Sequence, residues 1–318
     1  MANKYLLAID AGTTSGRACI FDLKGNLIAS SGSEYPVYSP KPGWYEQNCE
    51  EMAKVLYNSC KETISKSGIK PEEIAGIGLS TQGAAFVPVD KDNKIVRPCI
   101  GWQDERGKLM FDKMRGKISA EEYYKITGIP FCTPTYSISK ILWIKEYEKE
   151  NYEKTACFAV HQDYFLTAFG VEDHYADISS ASRYGFFDVD NGKYSEKIMN
   201  IFEITKEKLP KIVAGGTIVG KVSKKLSELT GIAEGTPICV GAMDVNASVL
   251  GLGVIKEGMA GTILGTYGTC IAFSPKPVRD PDGKMVVMGN VGTNKWTMEG
   301  ASLAAASSLN GLEIHFVI

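Results

Sequence analysis

No Cys-x-x-Cys pair occurs among the eight cysteines, which lie at 19, 49, 60, 99, 132, 157, 239 and 270. Ligand pairs with zinc-finger spacing are therefore missing, and several of these thiols sit in apolar runs, as small buried side chains do. No apolar run reaches the ~20 residues that cross a bilayer. Net charge is −2 and no Lys/Arg cluster stands out, so no basic field recruits nucleic acid. The N-terminus enters a strand pattern with no secretory apolar core before it, and a cytoplasmic protein is expected. Neither G-x-x-x-x-G-K-[ST] nor a strand-then-helix G-x-G-x-x-G is present, which removes the P-loop and dinucleotide-fold readings. Histidine is scarce, with three in the chain. His161 and His174 have no partners at metal-ligand spacing, and no chemistry is assigned to them.

What is present is ordinary for a globular protein, with 44% hydrophobic and 23% charged residues over a length that suits two domains. The chain is organised around its opening stretch, Tyr5-Leu-Leu-Ala-Ile-Asp10-Ala-Gly12-Thr13-Thr14-Ser-Gly16-Arg17. An apolar strand ends on Asp10, a Gly/Thr turn follows, and a second strand leaves from Arg17. Glycines let backbone approach a bulky anion, and turn amides and threonine hydroxyls donate to phosphate oxygens. Asp10, at the strand end, suits a hydrated Mg²⁺. A hairpin turn that merely faces water is the alternative. The same design returns at Gly261-Thr-Ile-Leu-Gly265-Thr266-Tyr-Gly268-Thr269-Cys-Ile-Ala-Phe273.

Between these hairpins, spacing predicts a helix over Glu46–Ser67, a short strand Ile74–Ser80 and helices over Ser119–Thr127, Ser137–Glu150 and Gln162–Ala168. Gln82 falls at a strand's carboxyl end, where α/β sheets gather ligands. Trp102, Asp104 and Arg106 offer a ring, a carboxylate and a guanidinium at alternate positions, a set that suits a polyhydroxylated ligand; a buried Trp beside an ion pair is the alternative. Asp163 lies where a loop enters a helix, as a ligand contact or a cap. Asp177–Arg183 reads as a polar loop before a strand Tyr184–Val189. Asp244 stands between the buried strand Thr236–Gly241 and a small-residue helix, facing a cleft or serving as a plain N-cap.

Two phosphate-turn hairpins with a late strand-end Asp point to an α/β protein of the actin-like ATPase (ribonuclease H-like) fold. Within it, the chain resembles the FGGY family of carbohydrate kinases. The matching pieces are Asp10–Arg17, Trp102-Gln-Asp104-Glu-Arg106, Ser139-Lys-Ile-Leu-Trp143, Asp163-Tyr164, Asp177–Arg183, Leu209-Pro210, Gly235-Thr-Pro237, Gly241-Ala-Met-Asp244 and Gly265–Thr269. Their order and number carry the resemblance.

It implies ATP-dependent phosphorylation of a sugar or polyol hydroxyl between an N-terminal domain, 1–248, and a partial C-terminal domain, 249–318. Asp244 would be the catalytic base and Asp10 would help hold Mg²⁺. Gly12, Thr13, Thr14 and Arg17 would surround the β/γ-phosphates, opposite a second phosphate loop of Gly265, Thr266, Gly268 and Thr269. Gln82, Trp102, Asp104, Arg106 and Asp163 fall where the family binds substrate. The partner expected is a small sugar or polyol, with no nucleic acid, no membrane and a homodimer left open.

Two departures qualify the resemblance. Around Gln82 the sequence is Ser-Thr-Gln-Gly-Ala-Ala, neither the Arg-Glu of glycerol kinases nor the Met-His of xylulokinase-like members. The substrate stays open among ketopentoses, erythritol-like polyols and other small sugars. After Asn310 the family pattern stops, and a truncated product with unpaired sheet edges and no adenine contacts is expected. Two alternatives stand beside the kinase: a sugar-binding or regulatory remnant, and an actin-like ATPase without a small-molecule acceptor.

Overall fold

The computed structural model describes residues 4–264, 268–292 and 295–302. Its central sheet has six strands. Three run antiparallel from the N-terminus: β1 (Tyr5–Ala11), β2 (Ser15–Asp22) and β3 (Leu27–Glu34). On its other side β1 pairs in parallel with β4 (Ile74–Thr81). β4 in turn pairs in parallel with a later strand, Pro237–Met243, and Ile218–Lys221 closes that edge antiparallel.

This order has a direct consequence for function. The three parallel strands end level with one another, since Ala11 and Met243 both stand opposite Thr81. The residues that follow each strand, Gly12, Gln82 and Asp244, therefore emerge at one edge of the sheet. Ligands collect at such an edge because side chains there are held by rigid elements yet face open space.

Helix α1 (Cys49–Ser67) covers one face of the hairpin. Asn48 caps its start by accepting from the amides of Glu50 and Glu51, and Gly68 ends it in the left-handed region at φ 68°. Met52, Leu56, Cys60 and Ile64 recur at helical spacing and are buried against Leu7, Ile9, Ala18 and Ile20 of the sheet. Glu46–Gln47, the start of the expected helix, is instead a short strand paired with Cys99–Ile100. Its backbone is taken up by a second, four-stranded sheet before Asn48 caps the helix.

A second core collects Phe86, Ile100, Trp143, Phe158, Tyr184 and Phe187 beneath the helix Ser137–Tyr147. The stretch Asp177–Arg183 departs from the polar loop expected. Residues Ile178–Ser182 form a short helix, with Asp177 accepting from the amides of Ser179 and Ser180. Asp177 is itself buried, so the polar run Ser-Ser-Ala-Ser satisfies a helix start inside the protein rather than facing water.

Beyond residue 259 a separate antiparallel sheet forms, in the order Ala260–Leu264, Gly268–Ser274, Trp296–Ser302, Val286–Gly289. It repeats the opening hairpin's plan, strand, three residues, strand, as the sequence echo implies. Its own cluster is small, with Val249, Val254 and Ile271 buried. Leu250, Leu252, Ile255, Met259 and Leu264 are exposed around it. No described helix is long and apolar enough to cross a membrane.

Candidate active site

Gln82, Gly83 and Ala84 turn sharply beneath the sheet edge. A Cβ on Gly83 would lie 2.2 Å from Met243 Sδ, so any larger residue in this turn would have to push the Met243 side chain aside. Ala84 follows with φ 59°, a left-handed backbone that a side chain adopts at a cost. The strain is held in place from outside: Ser137 Oγ donates to the Ala84 carbonyl at 3.1 Å and Lys140 Nζ at 3.4 Å.

Above this turn opens a cavity of about 290 Å³, bordered by Thr13, Gln82, Trp102, Arg183, Asp244 and Glu299 among others. It brings together residues more than 280 positions apart in sequence, from the first phosphate-type turn to the second sheet.

Asp244 begins the helix Asp244–Gly251 and is not its cap, a place taken by Met243. Among the described residues its Oδ1 accepts from the next amide alone, Val245 N, at 2.7 Å. Burial pushes the Asp244 carboxyl up to about 7, with the negative charges of Asp10 and Glu299 adding to the shift and Val245 N–H and Arg183 opposing it. A carboxylate in that range takes up and releases a proton near neutrality, as a general base must.

Asp10 is also raised by burial, with Ser80 Oγ donating to Oδ1 at 2.8 Å and Arg17 offsetting part of the effect. Its other oxygen has no partner among the described residues, so the carboxylate retains a free ligand position. The turn after it is tied down by Tyr35, whose hydroxyl shares its one proton between the carbonyls of Gly12 at 2.6 Å and Ser15 at 2.8 Å. Thr14 and Arg17 are exposed. In the second hairpin, Thr269 is buried and its hydroxyl donates to Glu299 Oε1 at 3.1 Å. Gly265 and Thr266 lie outside the described residues.

The substrate-side candidates divide. Gln82 and Trp102 border the cavity, and the indole N–H of Trp102 donates to Thr13 Oγ1 at 3.1 Å. Asp104 and Arg106 do not border it. They are 0% and 2% exposed and bind one another through two bonds of 2.8 Å. Asp104 Oδ2 also accepts from Tyr45 N at 2.7 Å, and the Arg106 guanidinium lies 3.9 Å from the Trp44 ring centre while reaching Glu46. Their polar atoms hold the loop that carries Trp102.

Asp163 stands apart as well. It sits inside the helix His161–Ala168, fully buried, accepting from His174 Nδ1 at 2.8 Å and Tyr175 N at 3.1 Å. It is neither a cavity residue nor a cap.

Both histidines left without chemistry have close partners. The ligand atoms of Cys49, Cys99 and His161 cluster within 4.8 Å, as do those of Cys157, Asp163 and His174. Cys49, Cys99 and His161 are brought together from 62 and 112 residues apart, whereas Cys157, Asp163 and His174 lie close in sequence but at no spacing typical of a metal site.

Lys140 and Arg183 lie in two of the matching stretches, yet the sequence alone assigns them no role. Lys140 is fully buried, and its ammonium donates to the carbonyls of Thr135 at 2.8 Å and Gly101 at 3.0 Å. Burial pushes its amine down to about 7, with Asp104 opposing. A lysine set between Ile138 and Ile141 on the buried stretch of the helix was the available signal. Arg183, from the end of the short helix, ion-pairs with Glu299 of the second sheet.

Comparison with known proteins places the chain in a family. The family model for the FGGY family of carbohydrate kinases, N-terminal domain, matches residues 5–251. The chain belongs to the FGGY family.

A probable L-xylulose kinase of Haemophilus influenzae is 30% identical over 265 residues, which cover 83% of this chain and 54% of that one. Gluconokinase of Bacillus subtilis is 30% identical over 88% of this chain and 54% of its own. The crystal structure of xylulose kinase from Lactobacillus acidophilus superposes with a TM-score of 0.90 at 22% identity, over 96% of this chain and 61% of that one. These structural neighbours share the actin-like ATPase fold. The chain thus spans a little over half the length of the curated relatives it matches.

Proposed function

We propose that the protein transfers the γ-phosphoryl group of ATP to a hydroxyl of a small sugar or polyol. The observation that carries this reading is Asp244: a carboxylate titrating near 7, at the end of a parallel strand, on the wall of a cavity shared with the Gly12–Thr14 turn.

Phosphoryl transfer asks little covalent chemistry of a protein and much positioning. Asp244 would accept the proton of the attacking hydroxyl. Trp102 would pack on the C–H face of the sugar and Gln82 would bond one of its hydroxyls. Gly12, Thr13, Thr14 and Arg17 would line the phosphates from one side, with Gly268 and Thr269 on the other.

Mg²⁺ fits Asp10, which keeps one carboxylate oxygen free and repels Asp244 across the site. A bound cation would neutralise charge on the phosphates. Asp104, Arg106 and Lys140 act one layer back, fixing the loop that carries Trp102. Asp163 anchors the helix that carries His161.

The test is to incubate the purified protein with ATP and Mg²⁺ and a panel of ketoses, aldoses, aldonates and polyols, detecting phosphorylated product by mass spectrometry. A sugar phosphate formed by the parent and not by Asp244→Ala supports the reading. Sugar binding without product would favour a non-catalytic sugar-binding chain instead. ATP hydrolysis indifferent to every sugar would favour an ATPase without a small acceptor.

A further inference from the structure

A chain of hydrogen bonds fixes which face Gln82 can offer a ligand, and it begins at an atom with no ambiguity. The carbonyl oxygen of Thr13 only accepts, so the side-chain group of Gln47 that meets it at 2.7 Å is the amide Nε2. Gln47 Oε1 therefore points the other way, where Gln82 Nε2 donates to it at 2.8 Å. The second N–H of Gln82 goes to His161 Nδ1 at 2.9 Å, which makes Nδ1 an acceptor. The ring proton of His161 then resides on Nε2, facing Cys99 Sγ at 2.9 Å, with Cys49 Sγ at 3.7 Å.

A doubly protonated imidazole, or one protonated on Nδ1, would set donor against donor at Gln82. Reversing the Gln82 amide would set its oxygen against Gln47 Oε1. Gln47, His161 and Cys99 are each fully or almost fully buried, so water does not relieve either conflict.

With both N–H groups spent, one polar atom of Gln82 is left. Its Oε1 is buried and has no partner among the described residues, while the residue, 3% exposed, borders the cavity. An orphaned buried acceptor is costly unless something fills it.

We propose that Gln82 Oε1 is a dedicated acceptor for one hydroxyl of the substrate, and that Gln47 and His161 are positioning residues that hold it so. This rests on the sugar-kinase reading and narrows it. The group that meets Gln82 is a hydroxyl donor, and a carboxylate at that position, as in an aldonate, is turned away because Gln82 has no N–H to give it. The same Gln47 ties the carbonyl of Thr13, so the phosphate-type turn and the hydroxyl reader share one anchor.

Two measurements on the full chain test this. The first is the ¹⁵N pattern of the His161 ring by long-range proton–nitrogen correlation, assigned by its absence in His161→Asn. A neutral ring protonated on Nε2 is expected; a proton on Nδ1, alone or in addition, overturns the inference whether or not any sugar is phosphorylated. The second uses the substrate found by the panel together with its monodeoxy analogues.

Gln82→Leu and His161→Leu should each raise KM for the parent sugar roughly tenfold with kcat nearly unchanged. One deoxy analogue should be indifferent to both changes, because it lacks the hydroxyl being read. His161→Asn should recover most of the KM, since its carbonyl oxygen replaces Nδ1 as acceptor. Gln47→Met supplies the same reading should His161→Leu fail to fold.

Equal penalties across all deoxy analogues, or kcat falling in step with KM, would overturn the proposal. If no sugar is phosphorylated, the kinase reading fails, and calorimetric binding of the same series decides whether Gln82 reads a hydroxyl: no analogue standing out would overturn it.

Discussion

Arg183 at the end of a short helix and Glu299 on a strand of the second sheet lie 116 residues apart and form a buried ion pair on the wall of the cavity. Arg183 ends the short helix beside the main sheet; Glu299 lies on the strand Trp296–Ser302 and also accepts from Thr269. The pair joins the two halves of the site. Removing one partner leaves a buried charge uncompensated. Arg183→Met should therefore cost about 3–5 kcal/mol in urea unfolding, and Arg183→Met/Glu299→Met should recover a large part of it. An Arg183→Met protein as stable as the parent would contradict this link.

Asp244 should weaken the fold at the pH where it works. Its folded pKa, raised by burial to about 7, lies above the ordinary carboxylate value, so the folded state binds the proton more tightly than the unfolded chain. The stability associated with that proton is complete below the unfolded pKa and is lost as pH rises through about 7. Asp244→Asn should accordingly gain stability over the parent between acid and neutral pH, on the order of 2 kcal/mol at pH 8. Paired denaturation curves at pH 5 and pH 8 read this directly.

Lys140 holds the cavity floor to the Trp102 loop through the backbone carbonyls of Ala84, Gly101, Trp102 and Thr135. Lys140→Met fills the volume but leaves those carbonyls short of a donor. A loss of roughly 1–3 kcal/mol is expected, together with a raised KM for sugar. Thermal melts and sugar titrations of the variant are the measurements, and an unchanged KM would detach Lys140 from the site.

Gly241 marks the tightest approach within the main sheet. A Cβ there would stand 1.7 Å from the carbonyl oxygen of Leu79, backbone that has no room to yield. Gly241→Ala should part the two central strands and destabilise by several kcal/mol, whereas Gly78→Ala, with open space at its Cβ, should cost far less. Expression and melting of the two variants side by side make the comparison.

Local chemistry made much of the fold legible. The opening hairpin, the strand that precedes Gln82 and the helix Ala120–Thr127, capped by Ser119 and ended at Gly128, follow from alternation, turn glycines and caps written within a few residues. The convergence of Gly12, Gln82 and Asp244 followed from each standing at a strand end. What stayed hidden depends on contacts across the chain. Asp104 and Arg106 look identical in sequence whether they face a ligand or each other, and only Trp44 and Glu46 decide it. Asp163 belongs to His174 and Tyr175, and His161 to Gln82 and Cys99, through pairings that no spacing rule encodes.

Asp244 as the general base is tested most directly by the rate of sugar-dependent ADP release against pH, for the parent and for Asp244→Asn. The parent's kcat/KM should rise with pH and level off above an apparent pKa near 7, since the carboxyl must lose its proton to accept the substrate's. Asp244→Asn should lose at least about a hundredfold and the pH-dependent limb with it. An Asp244→Asn protein that keeps the parent's rate, or the same limb at a lower rate, would contradict the role of Asp244.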